Sequence, residues 1–282
     1  MNGDWTEAEV GDFLRSRRAR IRPDEVGLPV HGRRRVPGLR REEVAQLAGV
    51  SVDYYIRLEQ GRGTGGASRA KSGGVSDAVL DAVARVLRLD ETEHAYLRTV
   101  ARPHRQRRPA GTSRVRPGVQ RLLDAMEHSP AFVLGRRMDV LAWNALGDAV
   151  HGFSRLEPAE RNMARLAFLS PAGRELYPEW HAVAAQTVAH LRVNAGRYAD
   201  DAELFALVGE LSVRSEDFRR LWADHEVKEC AYGVKTVRHP VAGLLILPYE
   251  TMTTPTDPEQ TIVTYVPEPG SDTAERLALL GR

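Results

Sequence analysis

The stretch REEVAQLAGVSVDYYIRLEQG, residues 41–61, constrains this chain more than any other. Apolar residues fall at Val44, Ala48, Val50, Tyr55 and Leu58, the spacing of two short helices that bury one face each. Ala45 is small where two helices would cross closely, and Gly49 stands at the junction, where a tight turn calls for positive φ. Ser51 is suited to cap the second helix. The pattern predicts a helix-turn-helix, with helices over 39–48 and 51–60. Its second helix carries Val52, Asp53, Ile56, Arg57 and Gln60 on the face the core does not need.

A recognition helix enters the major groove with its N-terminal residues toward the base edges. Val52, Asp53 and Arg57 are then the expected base readers: Val52 for a thymine methyl, Asp53 for a cytosine amine, Arg57 for guanine O6 and N7. Tyr54 is a further candidate on the same helix; a core role is the alternative for Ile56 and for Tyr54. Arg41 and Ser51 are expected on phosphates. The preceding arginine-rich loop, GRRRVPGLRR, adds Arg33, Arg34, Arg35 and Arg40 as phosphate or minor-groove contacts, since guanidinium suits both, with a solvated loop as the alternative.

Charge divides the same way. Residues 1–117 hold 23 Arg and Lys against 15 Asp and Glu, whereas residues 118–282 hold 17 against 23. A basic front half and an acidic back half suit a nucleic-acid-facing part and a part with another task. Around the motif, a helix beginning near Val10 turns basic at Arg15, Arg17, Arg18 and Arg20. A glycine-rich segment covers 63–74, helices follow over 79–87 and from Asp90 to 102, and a proline- and charge-rich linker ends at 117. The expected organisation is a DNA-binding domain over 1–104, a linker over 105–117 and a second domain over 118–282.

The motif resembles the helix-turn-helix of the phage-repressor-like (XRE) regulators. That resemblance implies a structural ion pair between an arginine of the first helix and the glutamate ending the recognition helix, here Arg18 and Glu59. The chain departs from that family in its long arginine-rich loop and in the 63–74 segment.

The back half reads as a helix over 119–127, strands over 131–134 and 140–143 and a helical run from about 146 to 226. Three β-rich segments (ECAYGVKTVRH, VAGLLILPYETMT, QTIVTYVPE) and a helix over 273–280 follow. The expected class is α+β: an all-α front domain, then one antiparallel sheet with a helical insertion. Catalysis has little support. There is no GxSxG elbow, no GxxxxGK phosphate loop and no HExxH, the chain has three lysines, and the histidines lack metal-ligand spacing. Cys230, the single cysteine, can form no intrachain disulfide, which fits a reducing cytoplasm. No signal-peptide pattern opens the chain, and no apolar run reaches bilayer length.

Polar residues set in apolar segments suggest a small-molecule pocket, which needs apolar walls and a few converging polar groups. Trp143 and Asn144 stand at a strand end. Arg161, Asn162, Arg165 and Phe168 share one short segment. His190, Leu191 and Arg192 follow on a long helix, and Trp222 and His225 on another. A packed helical core with polar groups at its rim is the alternative.

The blocks SPAFVLGRRMDVLAWNALGDAVHG, ERNMARLAFL, VAHLRVNAGRYADDAEL, ELSVRSEDFRRLWADHEV, GVKTVRHPVAGLLILPYET and YVPEPGSDTAERLALL, in this order, resemble MmyB-like transcription regulators. The resemblance implies a PAS-like ligand-binding domain behind the DNA-binding head and a lipid-like effector, fatty acid being the precedent. An acyl chain would lie against Trp143, Phe168, Leu191 and Trp222. Arg192 or Arg165 would meet its head, with Asn144 or His225 hydrogen-bonding. The expectation is a cytoplasmic regulator, acting as a homodimer on a double-stranded operator, with no metal, no membrane association and no required cofactor. Its rivals are a haem-type sensor with His190 or His225 as ligand, a repressor whose back half only dimerises, and an enzyme carrying a DNA-binding head.

Overall fold

The computed structural model describes residues 2–28, 36, 38–61, 75–101, 114–227 and 231–281, without side chains for 2–7. Arg33, Arg34, Arg35, the 63–74 segment, residues 105–113 and Cys230 lie outside the described residues. The chain divides into two compact units: Met1–Gln106 with Ala195–Asp201, and Arg107–Asn194 with Ala202–Arg282.

The first unit is helical: α1 (Asn2–Arg20), α2 (Arg41–Ala48), α3 (Val52–Glu59), α4 (Asp77–Val86) and α5 (Glu91–Ala101). Helix α1 begins well before Val10, where the apolar spacing starts. The turn between α2 and α3 forms as the sequence requires. Gly49 ends α2 in the left-handed region, φ 68°, and Ser51 caps α3 by accepting from the Tyr54 amide at 3.2 Å. Ser76 does the same for α4, accepting from the Val79 amide. Phe13 and Leu14 of α1, Val44 and Ala45 of α2, and Tyr55 and Leu58 of α3 are fully buried or nearly so. Gly11 sits where α1 meets α3: a Cβ there would lie 2.1 Å from the Glu59 carbonyl oxygen, so no larger residue fits that crossing.

The second unit opens with α6 (Pro117–Asp124), then β1 (Ala131–Gly135) and β2 (Val140–Trp143). Helix α6 starts two residues before the expected 119 because Pro117, at its first position, is pre-set for helical φ and has no amide to satisfy. A helical segment follows: α7 (Ala145–His151), α8 (Met163–Leu169), α9 (Pro171–Leu176), α10 (Trp180–Arg197), α11 (Ala202–Arg214) and α12 (Glu216–Ala223). Then come β3 (Tyr232–His239), β4 (Gly243–Thr254), β5 (Asp257–Tyr265) and α13 (Asp272–Leu280). The strands form one five-stranded sheet in the order β2-β1-β5-β4-β3, every neighbouring pair antiparallel. The protein is thus α+β, with the helical segment inserted between β2 and β3.

Strand alternation gives the sheet two faces. Helix α6 covers one: Val119 and Leu123 pack with Ala131, Val133, Ala142 and Ile262. Register places Phe132, Trp143 and Val263 on the opposite face, with Tyr265 and its β4 partner Tyr249. On that side α7 packs on β1, and α9 on β3.

Candidate DNA interface and effector chamber

The recognition helix is held from behind by one buried carboxylate. Glu59, 1% exposed, accepts from Arg18 Nε at 2.7 Å and from Arg41 Nε at 2.6 Å. Arg18 also donates to the Leu39 carbonyl at 2.7 Å. One side chain of α3 therefore ties it to both α1 and α2, and the Arg18–Glu59 pair expected from the phage-repressor resemblance is present. Arg41 shares that carboxylate, which raises the pKa of its guanidinium; its side chain still stays 42% exposed.

With the buried face so occupied, the opposite face is left to solvent. Ser51, Val52, Asp53 and Arg57 are exposed, and Tyr54 is half-buried with the Arg57 guanidinium 5.8 Å from its ring centre. Tyr55, not Tyr54, is the core tyrosine, at 0% exposure. Arg40 is exposed just before α2, where its amide donates to Glu43 at 2.6 Å. Arg40, Arg41, Ser51, Val52, Asp53 and Arg57 thus belong to one small turn-and-helix surface. Its chemistry is guanidinium, hydroxyl, carboxylate and methyl, the groups that read phosphates and base edges.

In the second unit the structure divides the expected pocket residues between two aromatic groups. The first lies between the sheet and the helices after β2. Trp143 meets Phe153 at 5.6 Å, Phe132 meets Phe153 and His151 at 5.4 Å each, and His151 stacks on Phe153 at 5.0 Å. Arg161 sits over Trp143 at 5.3 Å and donates to the Phe153 and Leu156 carbonyls. The second group is helical. Phe168 contacts Trp180 and Phe218, and Phe218 stacks on Trp222 at 5.5 Å. Arg192 there is fully buried over the Trp222 ring at 4.3 Å. It donates to His225 Nδ1 at 2.9 Å and to the Trp222 carbonyl. Leu191 is buried beside it, and His190 is half-buried on the same helix.

Two of the expected polar contacts are spent on backbone. Asn144 caps α7: its Oδ1 accepts from the Ala131 and Gly147 amides, and its Nδ2 lies at hydrogen-bond distance from the Leu123, Met126 and Ser129 carbonyls. Asn162 caps α8, accepting from the Ala164 and Arg165 amides and donating to the Arg137 carbonyl and Asp139. Their oxygens and amides have no capacity left for a ligand. Arg165 puts Nε and Nη2 on Glu210 at 3.0 and 2.8 Å, and holds that carboxyl below its ordinary pKa. Sequence reading took these residues as ligand-facing because a polar residue in an apolar run signals burial, not purpose.

What the sequence reading missed is a set of buried polar atoms with no hydrogen-bond partner. Both ring nitrogens of His151 and the hydroxyls of Tyr177 and Tyr265 are enclosed and unsatisfied. His151 ends α7, Tyr177 follows α9, and Tyr265 ends β5, with its ring 5.9 Å from that of His151. Burial, then the nearby charges of Lys235 and His239, push the imidazole pKa down to about 3, so it is neutral. Burial raises both phenols, and neighbouring Tyr177 and Tyr249 raise Tyr265 further, so both stay protonated. No motif spacing links residues 151, 177 and 265; only the fold brings 151 and 265 side by side.

Among the described residues no group of His, Cys, Asp and Glu is arranged to hold a metal ion. Among the described residues no helix is long and apolar enough to cross a membrane. Residues 9–97 match a helix-turn-helix domain family, and residues 115–280, more than half of the chain, match the MmyB-like transcription regulator ligand binding domain. No curated protein matches the chain closely enough to add to this. The helix-turn-helix surface and the ligand-binding domain together make this a regulator and not an enzyme: the chain belongs to the MmyB-like transcription regulators, with a DNA-binding head followed by a ligand-binding domain.

Proposed function

We propose that this regulator binds its operator as a homodimer and that a small, lipid-like effector in the second unit modulates that binding. The observation that carries the reading is the locked recognition helix: Glu59 fixes α3 from its buried side, while Val52, Asp53 and Arg57 stand exposed on the other. Arg33, Arg34, Arg35, Arg40, Arg41 and Ser51 serve as phosphate contacts in this reading. Two-fold pairing follows from the small reach of one recognition helix, which meets few base pairs. In this reading the regulator is cytoplasmic, because it acts on an operator in DNA.

The second unit is read as PAS-like, supported by the strand order β2-β1-β5-β4-β3 with a helical segment between β2 and β3. Support for an apolar effector is the aromatic lining at Phe132, Trp143 and Phe153. An effector acts only through differential affinity for two states of the protein, so its binding must change operator affinity. The test is operator selection from random DNA followed by titration with and without the small molecules extracted from the purified protein. Selection of a two-fold site whose affinity shifts with the extract supports the reading. Recovery of no preferred sequence, or identical affinity with saturating extract, overturns it.

A further inference from the structure

A buried hydroxyl or imidazole without a partner is costly, and most such groups in folded proteins find one. Among the groups of the second unit that hold such an atom, His151, Tyr177 and Tyr265, two of them in ring contact, therefore ask what completes them. The set is chemically uniform. Tyr177 and Tyr265 each offer one O–H, and neutral His151 offers one N–H and one lone pair. Tyr177 is 1% exposed and Tyr265 0%. Part of His151 reaches the surface, but its nitrogens do not. Around them the lining is aromatic: Phe132 lies 6.0 Å from Tyr265 and Phe153 stacks on His151. The cations first expected to receive a ligand are otherwise engaged, Arg165 by Glu210 and Arg192 by His225 and Trp222.

We propose that the effector's polar end seats at His151, Tyr177 and Tyr265, and that this site takes an uncharged carbonyl group, as in an ester, an amide or a protonated acid, on an apolar body. This rests on the reading of the second unit as an effector domain. Phenol and imidazole donors match a carbonyl oxygen, and the aromatic walls match the apolar body. An ionised carboxylate carries a desolvation cost that neutral donors offset poorly. Lys235, the cation whose charge reaches His151, lies over the Tyr249 ring at 5.2 Å, and the donors at the site itself are neutral, so it discriminates by hydrogen bonding and against charge.

The experiment uses the full chain and three matched probes, methyl decanoate, decanoate and decane, measured by calorimetry and thermal shift at pH 8. The expected result is that methyl decanoate binds at least tenfold more tightly than the other two. Tyr177→Phe, Tyr265→Phe and His151→Phe should each weaken it about 3- to 10-fold, the loss of one neutral hydrogen bond. The probe-free melting temperature of the tyrosine variants should be unchanged or higher, because each loses an unsatisfied hydroxyl; this separates lost recognition from lost folding. Tighter binding of decanoate that falls in Lys235→Met overturns the proposal, as does ester binding indifferent to all three Phe variants. If none of the probes binds the wild type, the carbonyl site is refuted. A small molecule retained by the wild type in native mass spectrometry would still leave the effector reading standing, and absence of both would remove it too.

Discussion

Glu59→Gln is the substitution that most directly tests how the DNA-binding head is held together. The wild-type carboxylate is 1% exposed and accepts two charge-assisted hydrogen bonds, from Arg18 at 2.7 Å and Arg41 at 2.6 Å. A glutamine keeps the volume but has one oxygen, so its amide nitrogen must face one guanidinium, donor against donor. A hydrogen bond to a charged group contributes about 1.5–3 kcal/mol. The Arg18 side chain, 13% exposed, keeps most of that, whereas Arg41, 42% exposed, is largely screened by water. The expected loss is therefore about 2–3 kcal/mol, and Glu59→Ala, which also empties the site, should lose about 3–5 kcal/mol. Two kcal/mol corresponds to roughly thirtyfold in the opening equilibrium of the head. Hydrogen exchange in the full chain reads it locally: peptides from α1, α2 and α3 should exchange about thirtyfold faster in Glu59→Gln, with the sheet peptides unchanged. Exchange within threefold of wild type in those helices would refute the claim that this carboxylate locks them.

Other consequences are as direct. Gly11→Ala should destabilise the head by about 1–3 kcal/mol, since its Cβ meets the Glu59 carbonyl at 2.1 Å and α1 must move away from α3; denaturation of the purified variant checks this. Arg57→Ala should relax base preference at one operator position by about 1–3 kcal/mol, whereas Arg40→Ala should weaken all sequences alike and lower the salt slope by about one; competition binding at several salt concentrations separates the two. Asn144→Asp keeps the cap but turns an oxygen toward the Leu123, Met126 and Ser129 carbonyls, so a melting temperature below even that of Asn144→Ala is expected by calorimetry. The pH dependence has a definite sign. His151 titrates near 3 when folded against 6.5 when unfolded, so the unfolded chain binds the extra proton between those values. Stability should fall with falling pH from about 6.5 to 3, by up to roughly 1.4 kcal/mol per unit, and His151→Phe should flatten that slope in urea titrations at stepped pH.

The helix-turn-helix could be read from sequence because its requirements are local. A left-handed glycine at 49, a capping serine at 51 and apolar residues at helical spacing state the turn and the buried face within twenty-one residues. The strands were legible for a similar reason, alternation and turn residues being short-range signals. The start of α1 was not, because the stretch NGDWTEAE carries no apolar spacing of helical period.

Sequence alone therefore determined the head's motif, the α+β class and the exposed identities of Val52, Asp53 and Arg57, all set by local propensity and periodic burial. It did not determine which polar residues serve the fold. Asn144 and Asn162 look like pocket residues until the backbone amides and carbonyls from 123 to 165 close around them. The resemblance implied the Arg18–Glu59 pair, but only the tertiary structure decided that Arg41, eighteen residues from Glu59, shares the same carboxylate. It also decided that His151 and Tyr265, more than a hundred positions apart, lie ring against ring. Hydrogen-bond satisfaction is a property of what surrounds a group in space, and a sequence lists only what precedes and follows it.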